Sequence, residues 1–179
     1  KTTTSHYAVL GMLTLGEMSG YDIKKTIENS IGNFWAESYG QIYPVLKQLL
    51  TLGWANQTTH PQIGKPNKYL YSITDAGRTT LRTWLAEAAN PRVPRNELLL
   101  KLFFGSASDA SAMRTHLTQF RDEQQAAVTR YEGIKAMLTQ QYTQQSNAYW
   151  LMTLEFGLVT AQAQLSWAEN ALKQLPSSQ

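Results

Sequence analysis

Apolar side chains recur at helical spacing through the first half of the chain, in short segments separated by glycine and proline. The first apolar segment predicts a core helix over residues 7–15. A second helix is predicted to begin after Ser19, a suitable N-cap, because Ile23, Ile27 and Ile31 then fall four residues apart on one face. Both helices are short enough for a small globular domain.

A third helix is predicted from Ser38, its N-cap, to Gly53, which supplies the left-handed stop. Its buried stripe consists of five aliphatic residues: Ile42, Val45, Leu46, Leu49 and Leu50. Pro44 lies inside this segment and removes one backbone hydrogen bond, so regular helix is expected to begin near Tyr43.

Residues 54–59 and 69–74 are rich in aromatic and threonine side chains, and the second run alternates Tyr69, Tyr71 and Ile73 with smaller or polar residues. This pattern predicts a two-stranded hairpin whose connection, residues 60–68, forms a projecting loop. Thr74 is expected to cap a fourth helix with its apolar face inward, Leu85 included.

The second half carries two long stretches in which apolar residues alternate steps of three and four. Such heptads predict two long helices that fold back as an antiparallel coiled-coil pair. Additional apolar residues lie off this seam and need a partner surface: Trp150, Met152, Phe156, Val159 and Trp167. We therefore expect a homodimer, with dimerisation assigned to seven seam residues: Leu117, Phe120, Tyr131, Leu151, Leu154, Leu158 and Leu165.

The change of pattern near residues 90–94 places a domain boundary there. The fold class is mainly α, with three helices, a two-stranded hairpin and a fourth helix in a first domain over 1–90. Residues 91–179 are expected to form a helical coiled-coil domain for dimerisation.

Charge is distributed unevenly between these halves. The net charge is +3, and residues 1–85 hold eight basic and five acidic side chains, whereas the rest of the chain is balanced. No cysteine is present, which excludes disulfides and thiolate metal sites. No apolar run reaches the roughly 18 to 20 residues that span a bilayer, so a cytoplasmic protein with no membrane partner is expected.

Enzyme signatures are absent from the sequence. It contains no phosphate-binding glycine loop, dinucleotide fingerprint or nucleophile elbow. The three histidines, His6, His60 and His116, are far apart and lack ligand spacing, which disfavours a metal site. We expect no catalytic residues, no cofactor and no metal.

The order helix, helix, helix, hairpin over residues 1–90 is that of a winged helix-turn-helix DNA-binding domain with a two-stranded wing, and the basic excess lies in the same segment. The third helix would enter the major groove of double-stranded DNA, where its first turn could reach phosphates or base edges. The candidate DNA-binding residues are Tyr21, Lys24, Ser38, Tyr39, Gly40, Gln41, Tyr43, Lys47, Lys65 and Lys68.

Five of these candidates also have a purely structural interpretation. Ser38 and Gln41 fit a capping box that would use the same polar groups to hold the helix start. Tyr43 could belong to the core, and Lys65 and Lys68 could be ordinary solvated lysines.

Five motifs resemble the PadR family of transcriptional regulators: YAVLGML at 7–13, MSGYDI at 18–23, YGQIYPVL at 39–46, GKPNKYLY at 64–71 and ITDAG at 73–77. Residues 97–104, ELLLKLFF, are similar to the start of the longer C-terminal domain of one branch, which includes phenolic-acid-responsive repressors. The resemblance implies a dimeric, non-enzymatic repressor on a pseudo-palindromic operator. Relatives often carry arginines in the wing, whereas this chain has Lys65, Asn67 and Lys68, which would act more as point charges.

The same resemblance implies that a small phenolic acid such as p-coumarate releases the repressor from DNA, and that the helical domain over 91–179 is linked to binding of this effector. Tyr7, Trp35 and Trp150 are the candidate effector-binding residues, since their planar rings suit such a ligand, although core packing is the favoured explanation for each of them taken alone. Two other functions stay open: a multidrug-responsive regulator with a cavity at the dimer interface, and a helical adaptor that does not bind DNA.

Overall fold

The computed structural model describes residues 2–32, 34–61, 67–89, 95–141 and 146–176. The helices are α1 (Thr4–Leu13), α2 (Gly20–Ser30), α3 (Tyr39–Thr51), α4 (Asp75–Ala86), α5 (Glu97–Phe103), α6 (Ala110–Gln141) and α7 (Ser146–Gln174), with a short 3-10 turn at Gly105–Ala107. The strands are β1 (Ala55–His60) and β2 (Lys68–Ile73). The chain divides into two compact units, Lys1–Pro91 and Arg92–Gln179.

The N-terminal unit has the predicted winged-helix order of three helices, a hairpin and a fourth helix. Strands β1 and β2 pair antiparallel, with Ala55 opposite Ile73 and His60 opposite Lys68. Aliphatic residues of α1, α2 and α3 form the core, joined by Tyr71 from β2 and Leu81 from α4. Burial of these side chains is the main favourable term that holds the unit together.

Several local signals in the sequence act as predicted. The Ser19 hydroxyl accepts from the backbone N–H of Asp22, and the Thr74 hydroxyl accepts from that of Gly77. Gly53 has a φ of 69°, the left-handed conformation that ends α3. These groups act within a few residues of the chain, which is why their roles can be read from sequence.

Three details of the predicted helices are wrong. Helix α1 begins at Thr4 after Thr3, three residues earlier than expected, because the His6 ring bonds back to the Thr3 backbone N–H. Helix α3 begins at Tyr39 and continues through Pro44, so the proline does not delay its start. Leu85 is 66% exposed although it lies one turn after the buried Leu81, because it falls in the last turn of α4, where Trp84 and not Leu85 packs against the core.

The C-terminal unit is built on the predicted antiparallel pair. The Phe120 ring of α6 lies edge-on to Trp167 of α7, with centroids 5.9 Å apart, while Tyr131 packs with Leu154 and Leu158. Positions early in α6 therefore meet positions late in α7. Among the described residues of both units, no helix combines the length and apolar content needed to cross a membrane.

This pairing corrects part of the dimerisation assignment. Leu117, Tyr131, Leu154 and Leu158 are buried within one chain, so these side chains are already covered without a second subunit. The heptad pattern marks the side chains that pack between α6 and α7 of the same chain. Apolar steps of three and four indicate that a helix packs against another helix, but not whether that helix belongs to the same chain. Phe120, Leu151 and Leu165 are half-buried on the same seam, and a role for them between subunits stays a prediction.

Candidate nucleic-acid interface

The first turn of α3 presents a polar, aromatic surface to solvent. Tyr39, Gly40, Gln41 and Tyr43 are all exposed, because the opposite side of the helix carries the buried aliphatic stripe. Gln41 Oε1 accepts a hydrogen bond from the Ser38 backbone N–H at 2.8 Å. The capping interpretation therefore holds for that oxygen, while the amide nitrogen of Gln41 stays on the exposed surface.

Three tyrosines form a stacked row across α2 and α3. The Tyr39 ring lies 6.4 Å from the Tyr21 ring on one side and 6.4 Å from the Tyr43 ring on the other, and both pairs are close to parallel. Tyr43 is 51% exposed, so the core interpretation of this residue is wrong. The row holds three phenol groups on the same exposed surface as the start of α3.

Tyr43 has this position because Gly20 leaves room for it. A Cβ atom on Gly20 would lie only 2.7 Å from Tyr43 Cε1. The glycine at the start of α2 therefore allows the α3 tyrosine to lie directly against the α2 backbone. The sequence indicates only a helix break at Gly20, and its role in seating Tyr43 is visible only from the tertiary contact.

The lysine candidates differ in what they contact. Lys24 pairs with Glu28 one turn away, and its ammonium lies 5.7 Å from the centre of the Tyr39 ring. Lys47 is exposed, with no ion-pair partner in the described part of the chain. Lys65 lies outside the described residues.

Lys68, at the start of β2, forms an ion pair with Asp22 of α2, with 3.2 Å between Nζ and Oδ2. The same carboxylate oxygen accepts from the Ser19 hydroxyl at 2.7 Å and from the Ser19 backbone N–H at 3.1 Å. The Ser19 hydroxyl is the main cause of the lowered pKa of Asp22, and Lys68 adds to it. Asp22 was missed by sequence analysis, which could have detected the Ser19 capping box but not the lysine 46 residues away.

The wing is tied to the start of α2 by backbone bonds as well. Met18 and Tyr71 exchange two hydrogen bonds, at 3.1 and 2.9 Å, so that the segment before α2 runs beside β2. An open groove of about 300 Å³ lies between α2, α3 and β2. Among its lining residues are Tyr21, Asp22, Tyr43, Asn67, Lys68 and Tyr69.

The effector candidates lie in different surroundings. Tyr7 stacks face to face on Trp84 with centroids 4.7 Å apart, a contact within the N-terminal unit. The Trp35 indole N–H donates to Glu37 Oε1 at 2.9 Å. Trp150 belongs to α7 of the C-terminal unit and is 43% exposed. Core packing thus accounts for Tyr7, whereas Trp150 keeps much of its ring exposed.

Each of the two units matches the model of a known protein family. Residues 9–83 match the model of the transcriptional regulator PadR-like family, and residues 94–176 match the family described as virulence activator alpha C-term. With the helix order and the hairpin, these matches define a winged-helix transcriptional regulator.

Two curated relatives agree with this class. A probable transcriptional regulator of Mycobacterium tuberculosis is 32% identical over 72% of this chain and 74% of its own length. The negative transcriptional regulator PadR of Bacillus subtilis is 39% identical over 55% of this chain and 54% of its own length. The chain belongs to the PadR-like family, whose members are transcriptional regulators rather than enzymes.

Solved structures of B. subtilis PadR are similar over nearly the whole chain. The complex with operator DNA has a TM-score of 0.82 at 29% identity and covers 97% of this chain and 100% of that one. The complex with p-coumaric acid has a TM-score of 0.73 at 28% identity and covers 96% and 98%. The PadR fold therefore extends through the long C-terminal helices.

Proposed function

We propose that this protein is a cytoplasmic repressor that binds double-stranded operator DNA as a homodimer and is released by p-coumarate or a related phenolic acid. The observation that carries the proposal is the exposed start of α3, in a chain whose fold matches that of PadR in complex with operator DNA. The other parts of the proposal rest on separate observations.

The DNA-binding surface comprises the start of α3, the tyrosine row and the lysines around them. A helix of this size fits the major groove, and its free backbone N–H groups and positive dipole end favour phosphate. Tyr39 and Gln41 can reach base edges or phosphates, while Lys47 is positioned further along for a phosphate contact. Gly40 adds no side chain and leaves space for close approach of the duplex.

The dimer is supported by apolar side chains that the single chain leaves in water. On α7, four exposed residues recur in steps of three and four: Tyr149, Met152, Phe156 and Val159. At about 100° per residue, this outer stripe lies on the side of α7 opposite the intramolecular seam. Helix α5 adds Leu99, Leu100 and Phe103, and Phe104 directly follows it. Exposed apolar surface of this extent marks a contact surface, and a second copy of the chain covers it in the proposed dimer.

The effector is proposed by analogy with the PadR complex that contains p-coumaric acid. Trp150 is the best placed of the three candidate residues, because its ring is still partly exposed. Tyr7 and Trp35 would contribute only with rearrangement of the contacts they make to Trp84 and Glu37.

Fluorescence anisotropy with labelled duplexes from upstream of the protein's own gene tests the proposal. We expect tight binding that weakens as salt rises, because lysine contacts to phosphate release counterions. Lys47→Ala should weaken binding several-fold and reduce the salt dependence, whereas Lys173→Ala, at the end of α7, should not. Addition of p-coumarate should lower the bound fraction.

Each failure in this experiment has a separate meaning. Salt-dependent binding without release by p-coumarate would discard the effector and keep the DNA-binding function. No binding to any duplex would contradict the proposal and favour the adaptor.

A further inference from the structure

The Asp22–Lys68 ion pair joins the two parts of the candidate interface, the start of α2 and the first residue of the wing strand. Lys68 Nζ and Asp22 Oδ2 are 3.2 Å apart, both side chains are about two-fifths exposed, and both residues line the same open groove as Tyr21 and Tyr43. It differs from the Lys24–Glu28 pair, which connects two turns of a single helix. Among the ion pairs of the described residues, Asp22–Lys68 is the one that connects α2 with the wing.

We propose that Asp22 stands in for a DNA phosphate: it holds the Lys68 ammonium in the free protein, and the duplex must displace it. This inference rests on the proposed function, since it concerns the regulation of the same interface. A carboxylate and a phosphate offer the ammonium the same kind of anionic oxygen, so Lys68 exchanges one partner for another on binding.

Three observations support this exchange. First, the Asp22 carboxylate is held in place by the Ser19 hydroxyl and backbone N–H, so it is a fixed partner rather than a freely rotating side chain. Second, Met18 and Tyr71 tie β2 to the same place through backbone bonds, which keeps Lys68 within reach of Asp22. Third, the pair borders an open groove rather than a closed cavity, so a phosphate can approach Lys68.

The consequence is that the Asp22–Lys68 pair lowers the affinity of the protein for DNA, an effect that we call the brake. Part of the favourable attraction between Lys68 and phosphate is offset by the loss of its pair with Asp22. Neutralising Asp22 should therefore increase DNA affinity, and the increase should depend on the presence of Lys68. Simple repulsion between Asp22 and the duplex would also raise affinity on neutralisation, but without dependence on Lys68.

A double-mutant cycle measured by anisotropy on the same labelled duplex distinguishes these cases. Asp22→Asn should tighten binding by about twofold to fivefold at low salt, a range typical of an exposed ion pair. The gain should shrink at high salt and should be lost when Asp22→Asn is combined with Lys68→Ala. Asp75→Asn is the matched control, because it removes one exposed carboxylate from the first turn of α4 and should change affinity by less than about twofold.

A second variant covers the case in which Asp22→Asn weakens the start of α2. Asp22→Gln keeps a capping amide, as Gln41 does at the start of α3, and removes the same charge. Thermal melting monitored by circular dichroism confirms that each variant is folded before its affinity is compared.

The outcomes separate this inference from the proposed function. Wild-type binding with no gain in either Asp22 variant, or with an equal gain in the Lys68→Ala background, would overturn the brake while leaving the DNA-binding function in place. Absence of DNA binding by the wild-type protein would overturn the proposed function, and the brake with it. A gain confined to proteins that retain Lys68 would support the exchange.

Discussion

Gly77, in the first turn of α4, has almost no room for a side chain. A Cβ atom there would lie 2.2 Å from the Trp54 carbonyl oxygen and 2.9 Å from Ile73 Cγ1. Because the nearest atom belongs to the backbone, it cannot move aside as a flexible side chain can. The glycine thus allows α4 to pack tightly against the end of β2 and the segment before β1.

We therefore expect Gly77→Ala to lower the free energy of unfolding of the N-terminal unit by about 2–3 kcal/mol, as overpacking does elsewhere. Gly11→Ala in α1 is the control, since no atom lies within 4 Å of the added methyl group. It should be neutral or stabilise by up to about 1 kcal/mol, because alanine favours helix more than glycine. Urea unfolding measures the free energy of unfolding of both variants. Equal changes in the two variants would contradict the tight packing around Gly77.

Asp22 gives a prediction about pH. Its pKa is lowered in the folded protein, first by the Ser19 hydroxyl and less by Lys68. The stability it contributes is therefore present above the ordinary value of 3.8 and is lost as the pH falls through the lower folded value. Wild-type protein should melt above Asp22→Asn at pH 7, and the difference should disappear in strong acid. A difference in melting temperature that grows as the pH falls would contradict the lowered pKa of Asp22.

At the scale of elements, helix ends and heptads could be predicted because their signals are local. Ser19, Ser38 and Thr74 precede their helices by one residue, and the two long apolar stripes identify α6 and α7. The delay expected from Pro44 does not occur, because the cost of the proline is outweighed by the buried stripe on the other side of the helix. Intrinsic helix propensity is a weak signal when tertiary packing opposes it.

The candidate site was only partly predictable for a different reason. The exposed polar turn of α3 follows from the amphipathic pattern, since residues off the buried stripe face solvent. The contacts of Tyr43 with Gly20 and of Asp22 with Lys68 join separate elements, and no local pattern encodes them. Sequence analysis therefore identified Tyr43 and Lys68 but not the residues that position them.

The seam between α6 and α7 gives the prediction at this scale. Leu158→Ala should destabilise the C-terminal unit by about 2–4 kcal/mol, because it removes a buried side chain and leaves a cavity. Glu155→Ala, one turn earlier on the exposed side, should change stability by less than about 0.5 kcal/mol. Thermal unfolding of the two variants checks this prediction. A small loss of stability in Leu158→Ala would contradict the burial of Leu158 between α6 and α7.

At the scale of the whole molecule, the same two helices serve two surfaces. The heptad seam holds the chain's own pair together, and the outer stripe of α7 is left for a second copy. Sequence analysis predicted the need for a partner from the off-seam residues but assigned dimerisation to the seam, because a heptad pattern does not reveal which helix it meets.

Phe156→Arg tests the outer stripe. Phe156 is 68% exposed, so the substitution should leave the single chain folded while adding charge to the proposed dimer surface. Analytical ultracentrifugation should show a dimer for the wild type and a monomer for this variant. Gln125→Arg, on an exposed side of α6, adds the same charge and should stay dimeric. A wild-type monomer would contradict the dimer.

The central claim is that this chain is a sequence-specific, dimeric DNA-binding regulator, and selection of bound duplexes from a randomised library tests it most directly. Two recognition helices related by a twofold axis should enrich a palindromic motif whose half-sites are about one helical turn apart, or a multiple of it. Enrichment should weaken when Tyr39 and Gln41 are both replaced by alanine. A wild-type protein that enriches no motif would contradict the account.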